Sequence, residues 1–309
     1  MPQPWMRFGI AEGASKAGSR ALSKLIGASG GSLLAVTVAT LISGVVQLFG
    51  GWIFSRRSGQ RLTVDVKQLF GAISFGVVAT AMGVLGTFAF TDPEADVGVT
   101  TFIVLMSIVP GALVDWIFFG HALRFRQWFG IALFLLAGWA MLNFPQLSAL
   151  VQLPAWVLWT LPLPFLAVVN EVITQAQARY QVRQLDPLVN NFWVGLTTIV
   201  AAVAVIVAVG STMEIQSYSV GYWIGSLLRG VLALGLVTFK LLAYQGGGTI
   251  ALKKFVMQAS YLMLAMLMGT VFFNEAVTIG KICGVALFAV GFVLMDEDSW
   301  KSLTKRWRN

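Results

Sequence analysis

The chain has 309 residues, 57% of them hydrophobic and only 11% charged, with a formal net charge of +8. A soluble globular protein carries roughly 25% charged residues. Together with a mean hydropathy of +0.80, this excludes the soluble class and leaves a polytopic membrane protein without a large soluble domain. One cysteine, Cys283, excludes an intramolecular disulfide.

A helix needs about 20 apolar residues to cross roughly 30 Å of hydrocarbon. Residues 3–24 come first and carry Glu12, Lys16, Arg20 and Lys24 at four-residue spacing, one stripe of a helix. They are read as a first span with the stripe facing a cavity and Glu12 near mid-membrane; a helix lying on the surface is the competing reading. Nine apolar stretches follow at about 31–55, 68–91, 97–119, 127–144, 155–178, 187–211, 220–243, 250–273 and 278–295. Pro110 is expected to kink the fourth span, and Pro162 and Pro164 to break or kink the sixth, because proline has no N–H for the helix ladder. The tail "DEDSWKSLTKRWRN" puts Trp300, Leu303 and Trp307 on one basic helical face, suited to an anionic inner leaflet; a frayed, solvated tail is the competing reading.

Basic residues alternate between connections. Arg56, Arg57, Arg61 and Lys67 follow the second span, Arg124 and Arg126 the fourth, and Arg179 and Arg183 the sixth; Lys253 and Lys254 lie near the turn after the eighth. Adding Arg7 and the tail, fifteen of the 21 basic residues fall on one side, with Arg20, Lys24 and Lys281 as exceptions. This positive-inside pattern puts both termini in the cytoplasm. The basic excess is thus a topology signal, and nucleic-acid binding is not expected from charges divided among short loops.

A shift of 154 residues lays "FFGHALRFRQWFGIALF" on "FFNEAVTIGKICGVALF" with seven identities, including Gly130/Gly284 and Phe134/Phe288. At an offset of 159, Glu12, Lys16 and Arg20 meet Glu171, Gln175 and Arg179. The repeat unit is five spans. An odd number inverts the second copy and puts a substrate site near the bilayer middle. The expected fold is all-α, about ten spans in two inverted five-helix repeats, with units at 1–149, 150–296 and a tail at 297–309.

At "FFNEAVTIGKICGVALFAVGFVLM" the sequence resembles the ten-helix EamA-type branch of the drug/metabolite transporter superfamily, and "AEGASKAGSRAL" is similar to that family's first helix, with Lys16 at its frequent lysine position. His121 stands in the first copy where Glu275 stands in the second, a departure from the pattern. The resemblance implies two five-helix repeats, cytoplasmic termini, and export or exchange of small organic solutes. A fainter similarity of "IAEGASKAGSRALSK" to the first helix of small multidrug resistance pumps would match Glu12 to their membrane-embedded glutamate.

Charged groups inside a span cost roughly 2.5–3.5 kcal/mol on translocon scales and face a cavity or a partner. Glu12 and Lys16 can pair one turn apart, either as a proton or cation site or as a structural ion pair. Glu171, with Asn170 and Gln175, follows the two prolines and is read as substrate- or ion-binding, against a polar helix–helix clasp. Arg229 lies deep in its span and is expected to meet Glu12 or Glu171, or an anionic substrate group. Asp115 is read as a gate or helix-end contact, Lys240 as snorkelling to the surface, and Trp193 and Trp223 as interface anchors or stacking platforms.

No HExxH, metal-ligand cluster or nucleotide loop occurs in the sequence, so no enzyme, catalytic residue, metal or cofactor is expected. The expected function is secondary-active transport, by preference export, of a small organic metabolite or drug by alternating access, with proton coupling and exchange both open. The alternatives are a lipid flippase of the same fold, or a non-transporting receptor or assembly factor. The expected partners are a small-molecule substrate and the bilayer, in the bacterial inner membrane or plasma membrane; homo-oligomerisation is left open.

Overall fold

The computed structural model describes residues 4–119, 124–141, 154–179, 184–209, 218–248 and 250–295, and no strand occurs among them. The helices are α1 (Pro4–Gly30), α2 (Leu33–Arg57), α3 (Val66–Phe88), α4 (Val97–Leu105), α5 (Ile108–Phe119), α6 (Phe125–Met141), α7 (Ala155–Thr160), α8 (Leu163–Arg179), α9 (Pro187–Val209), α10 (Val220–Gln245), α11 (Ile250–Phe273) and α12 (Ile279–Met295). Their starts are capped as the sequence allows. Ser32 accepts from the Ala35 N–H, Asp96 from Val99, and Asp65 and Gln68 form a reciprocal capping box.

The two interruptions expected from proline are present. Residues 97–119 divide into α4 and α5 at Met106–Ser107. Pro110 has no N–H to return to the carbonyl of Met106, four residues back, and Val109 bonds that carbonyl instead at 3.1 Å. Likewise α7 and α8 part at Leu161–Pro162, and the Leu166 N–H picks up the Pro162 carbonyl at 3.1 Å.

Among the described residues, six helical segments are long and apolar enough to cross a membrane: Leu33–Arg57, Val66–Thr91, Ala155–Ala178, Pro187–Val209, Val220–Gln245 and Val256–Phe273. Polarity runs inside out. Glu12, Gln175 and Lys253 are fully buried, whereas Phe70, Phe165, Val207 and Phe272 are exposed. A water-soluble chain does the reverse; a lipid-facing surface gains nothing from hiding apolar side chains. The molecule is an integral membrane protein.

Without a hydrophobic drive between helices in lipid, close packing and internal hydrogen bonds hold the bundle. α1 is the most polar helix and lies against both α10 and α11 rather than on the surface. Gly13 makes the second of these contacts: a Cβ there would stand 2.4 Å from the Met257 carbonyl oxygen. Hydroxyls inside the bundle bond back to their own helices, as Thr40 to the Val36 carbonyl, Ser43 to Ala39 and Thr80 to Gly76. Elsewhere α2 packs on α9 and α10, α3 on α8 and α9, and α6 on α12. At this last crossing Gly291 lies against the Gly130 carbonyl and Gly284 against that of Ala137.

Candidate functional site

Two carboxylates and three lysines from four helices form a buried group. On α1, Glu12 places Oε1 3.0 Å from Lys16 Nζ and Oε2 2.9 Å from Lys253 Nζ of α11. On α8, Glu171 lies 2.8 Å from the same Lys253 ammonium, 3.1 Å from Lys240 of α10 and 3.8 Å from Lys16. The Tyr244 hydroxyl donates to Glu171 Oε2 at 2.5 Å, and Lys240 donates to the Asn170 amide oxygen. Lys253, fully buried, joins the two acids and also lies 4.3 Å from the Tyr244 ring centroid. Burying a carboxylate or an ammonium alone is prohibitive; here each satisfies the other.

Beyond this group lies a partly open cavity, about 1180 Å³ of empty space with its open mouth included, walled by α1, α2, α3, α4, α8, α9, α10 and α11 together with Ser107 at the α4–α5 break. Lys16, Asn170, Glu171 and Lys240 form one part of its wall, and Arg20 and Arg229 another; Phe75, Met82, Leu163 and Ala167 are among its apolar side chains. Arg20 is 8% exposed, donates Nη1 to the Gly86 carbonyl at 3.2 Å and stacks over Phe90 at 4.7 Å. Arg229 is 6% exposed and lies against α3 at Gly83, where a Cβ would stand 2.8 Å from Nη2. Nε and Nη2 of Arg20 and Nη1 of Arg229 have no hydrogen-bond partner among the described residues.

A second charged group lies further along α1. Lys24 pairs with Glu275 at 2.7 Å, the same Glu275 oxygen accepts the Val97 N–H at 2.7 Å, and Lys281 pairs with Asp96 at 2.5 Å. Asn274, in the left-handed region with φ of 52°, ends α11 and starts the turn that leads to Glu275. On α1 the cavity wall runs from Lys16 of the first group through Ser19, Arg20 and Ser23, which precede Lys24 of the second.

The structure brings together Glu12, Lys16, Asn170 and Glu171, the last three on the cavity wall. Glu12 lies behind it, held by two lysines rather than open to a cation. Gln175 is fully buried away from the cavity, with neither side-chain polar atom bonded among the described residues. Arg229 reaches the cavity but pairs with neither Glu12 nor Glu171, contrary to expectation; it faces α3. Lys240 does not snorkel: it is 3% exposed and bound to Glu171. Lys253, assigned by charge to a cytoplasmic connection, is inside α11 and buried. Trp193 is absent from the cavity wall and donates its indole N–H to the Leu62 carbonyl, while Trp223 is exposed. The Asp115 side chain, His121 and the tail lie outside the described residues.

Sequence reasoning missed Lys240, Lys253 and Tyr244 as site residues; it placed Arg20 on the cavity-facing stripe, where the structure has it, but gave it no role. A signal existed for Arg20. The three exceptions to the charge alternation, Arg20, Lys24 and Lys281, all have partners within the protein.

No family model matches the chain, and no curated protein matches it. A solved structure described as "Crystal structure of protein" superposes with a TM-score of 0.67 at 16% identity, covering 97% of this chain and 99% of that one. The two share a fold over nearly their whole lengths.

Proposed function

We propose that the chain is a ten-span secondary transporter that moves a small organic solute by alternating access, as an EamA-type member of the drug/metabolite transporter superfamily. The observation that carries this reading is the partly open cavity walled by eight helices, with two separate groups of ion pairs on α1, one at Glu12–Lys16 and one at Lys24. Alternating access needs two closures that open in turn, and ion pairs between helices are closures that a substrate and a helix displacement can exchange. Export is the preferred direction.

An inverted pair of five-helix halves is supported by the packing. Under such a two-fold, α2 exchanges with α9, α3 with α10, α6 with α12 and α1 with the broken sixth span. The observed contacts of α1 with α10 and of α3 with α8 then become equivalent, as do those of α2 with α10 and of α3 with α9. At the α6–α12 crossing, the pair Gly130–Gly291 maps onto Gly284–Ala137 at the 154-residue offset. The basic connections favour cytoplasmic termini and the bacterial inner or plasma membrane.

Metabolite profiling of spent medium from cells expressing wild type, Glu12→Gln, Glu171→Gln or empty vector tests the reading. A metabolite enriched outside only with wild type is expected. Wild-type enrichment by both variants removes the carboxylates from the mechanism. Topology is tested in a chain with Cys283 replaced by serine. Single cysteines at Glu94 and Ser58, both exposed, label from opposite faces; labelling from the same face rejects the ten-span arrangement.

A further inference from the structure

We infer that the substrate is a small organic anion, held through a carboxylate or phosphate group by Arg20 and Arg229. This rests on the cavity being the substrate site. Its charges are the first ground. On its wall Lys16, Arg20, Arg229 and Lys240 stand against Glu171, and behind the wall Lys253 stands against Glu12: five cations to two carboxylates among the described residues. The second is how they are used. All three lysines are paired with carboxylates, and Tyr244 fills a further site on Glu171. Among the described residues, the one carboxylate on the cavity wall, Glu171, is already taken up by lysines and Tyr244 and is not open to a cationic or zwitterionic solute. The unbonded groups are donors: Nε and Nη2 of Arg20 and Nη1 of Arg229, on side chains more than nine-tenths buried.

Of the cavity hydroxyls, Thr40 and Ser43 donate to their own helix carbonyls. A guanidinium presents a planar fork of N–H groups that a carboxylate or phosphate accepts two at a time. A buried charge left without a partner is costly, so an oxyanion between the two arginines repairs a defect in the empty protein. The remaining wall, with Phe75, Met82, Val104, Leu163 and Ala167, suits an apolar body on that anion.

The test uses the purified full-length protein in neutral detergent at constant ionic strength. Its melting temperature is measured against phosphate, phenyl phosphate, phenylacetate and succinate, with chloride, phenethylamine and benzyl alcohol as controls. At least one oxyanion is expected to raise the melting temperature saturably while the amine and alcohol do not. Arg20→Gln and Arg229→Gln should weaken that oxyanion about tenfold or more. Without ligand, Arg229→Gln should melt no lower than wild type, because it removes an uncompensated buried charge; a purely structural arginine would lower it. The inference is overturned if no oxyanion exceeds chloride, if the amine stabilises as well, or if both variants retain full affinity. Liposome flux of the stabilising oxyanion reports the transport reading separately. Binding without flux rejects transport and leaves the assignment of the anion site intact.

Discussion

Replacing Glu12 by glutamine deletes one of two carboxylates that serve three lysines, two of them buried. The group's charge rises from +1 to +2. Lys253, fully buried, keeps only Glu171, and Lys16 keeps only the 3.8 Å contact to that same residue. At an effective dielectric constant of 20, a contact of 2.9 Å is worth about 6 kcal/mol of Coulomb energy, and the net cost of orphaning a buried charge is about 3–5 kcal/mol. Lys253→Met is the instructive contrast. It removes the surplus cation, leaves the group neutral, and lets Glu12 keep Lys16 while Glu171 keeps Lys240 and Tyr244. It gives up the ion pairs at 2.8 and 2.9 Å and the contact over the Tyr244 ring but leaves no charge without a partner, so its cost should stay below that of Glu12→Gln. Melting followed by intrinsic tryptophan fluorescence gives the order directly: Glu12→Gln well below wild type, Lys253→Met above Glu12→Gln, and the double variant above the sum of the two losses. The Glu12 deficit should persist in 1 M salt, because screening acts weakly on buried pairs. If Lys253→Met melts below Glu12→Gln, or the two losses simply add, the charge accounting is wrong.

Three other outcomes follow from the same geometry. Glu275→Gln weakens the acceptor shared by Lys24 and the Val97 N–H, so it should cost about 1.5–3 kcal/mol, and Lys24→Met should cost less on that background than alone; equal losses on both backgrounds would uncouple the pair. Gly83→Ala puts a methyl group 2.8 Å from Arg229 Nη2, close enough to push the guanidinium aside. It should abolish oxyanion stabilisation with little change in the unliganded melting temperature, and retained binding would show that Arg229 does not need this seat. Gly13→Leu forces α1 off the Met257 carbonyl and should reduce folded yield severely; wild-type yield would refute the close packing of α1 on α11.

Much of the fold was legible because it depends on local rules. Apolar runs place the helices, and proline at 110 and 162 interrupts the ladder at predictable points, since each removes one N–H from a known carbonyl. The Glu12–Lys16 contact was equally readable, as i and i+4 fall on one helix face whatever surrounds them. The pairing of Arg229 was not. Its depth in α10 signalled a need for a partner, but which helix it faces depends on the rotation of α10 against α3, and no local pattern fixes that.

Lys240 and Lys253 show the same limit from the other side. A lysine within a turn or two of a helix end reads as a surface anchor, because its long stem can carry the charge to water. The structure turns both inward, to carboxylates 69 to 241 residues away along the chain. The sequence by itself determined that this is a helical membrane protein, where its helices break, and that charge enters its interior on α1 and α8. The tertiary structure alone decided that the two acids are saturated by lysines and that two arginines are left facing a cavity. Helical periodicity sets which residues share a face; only packing sets what that face meets.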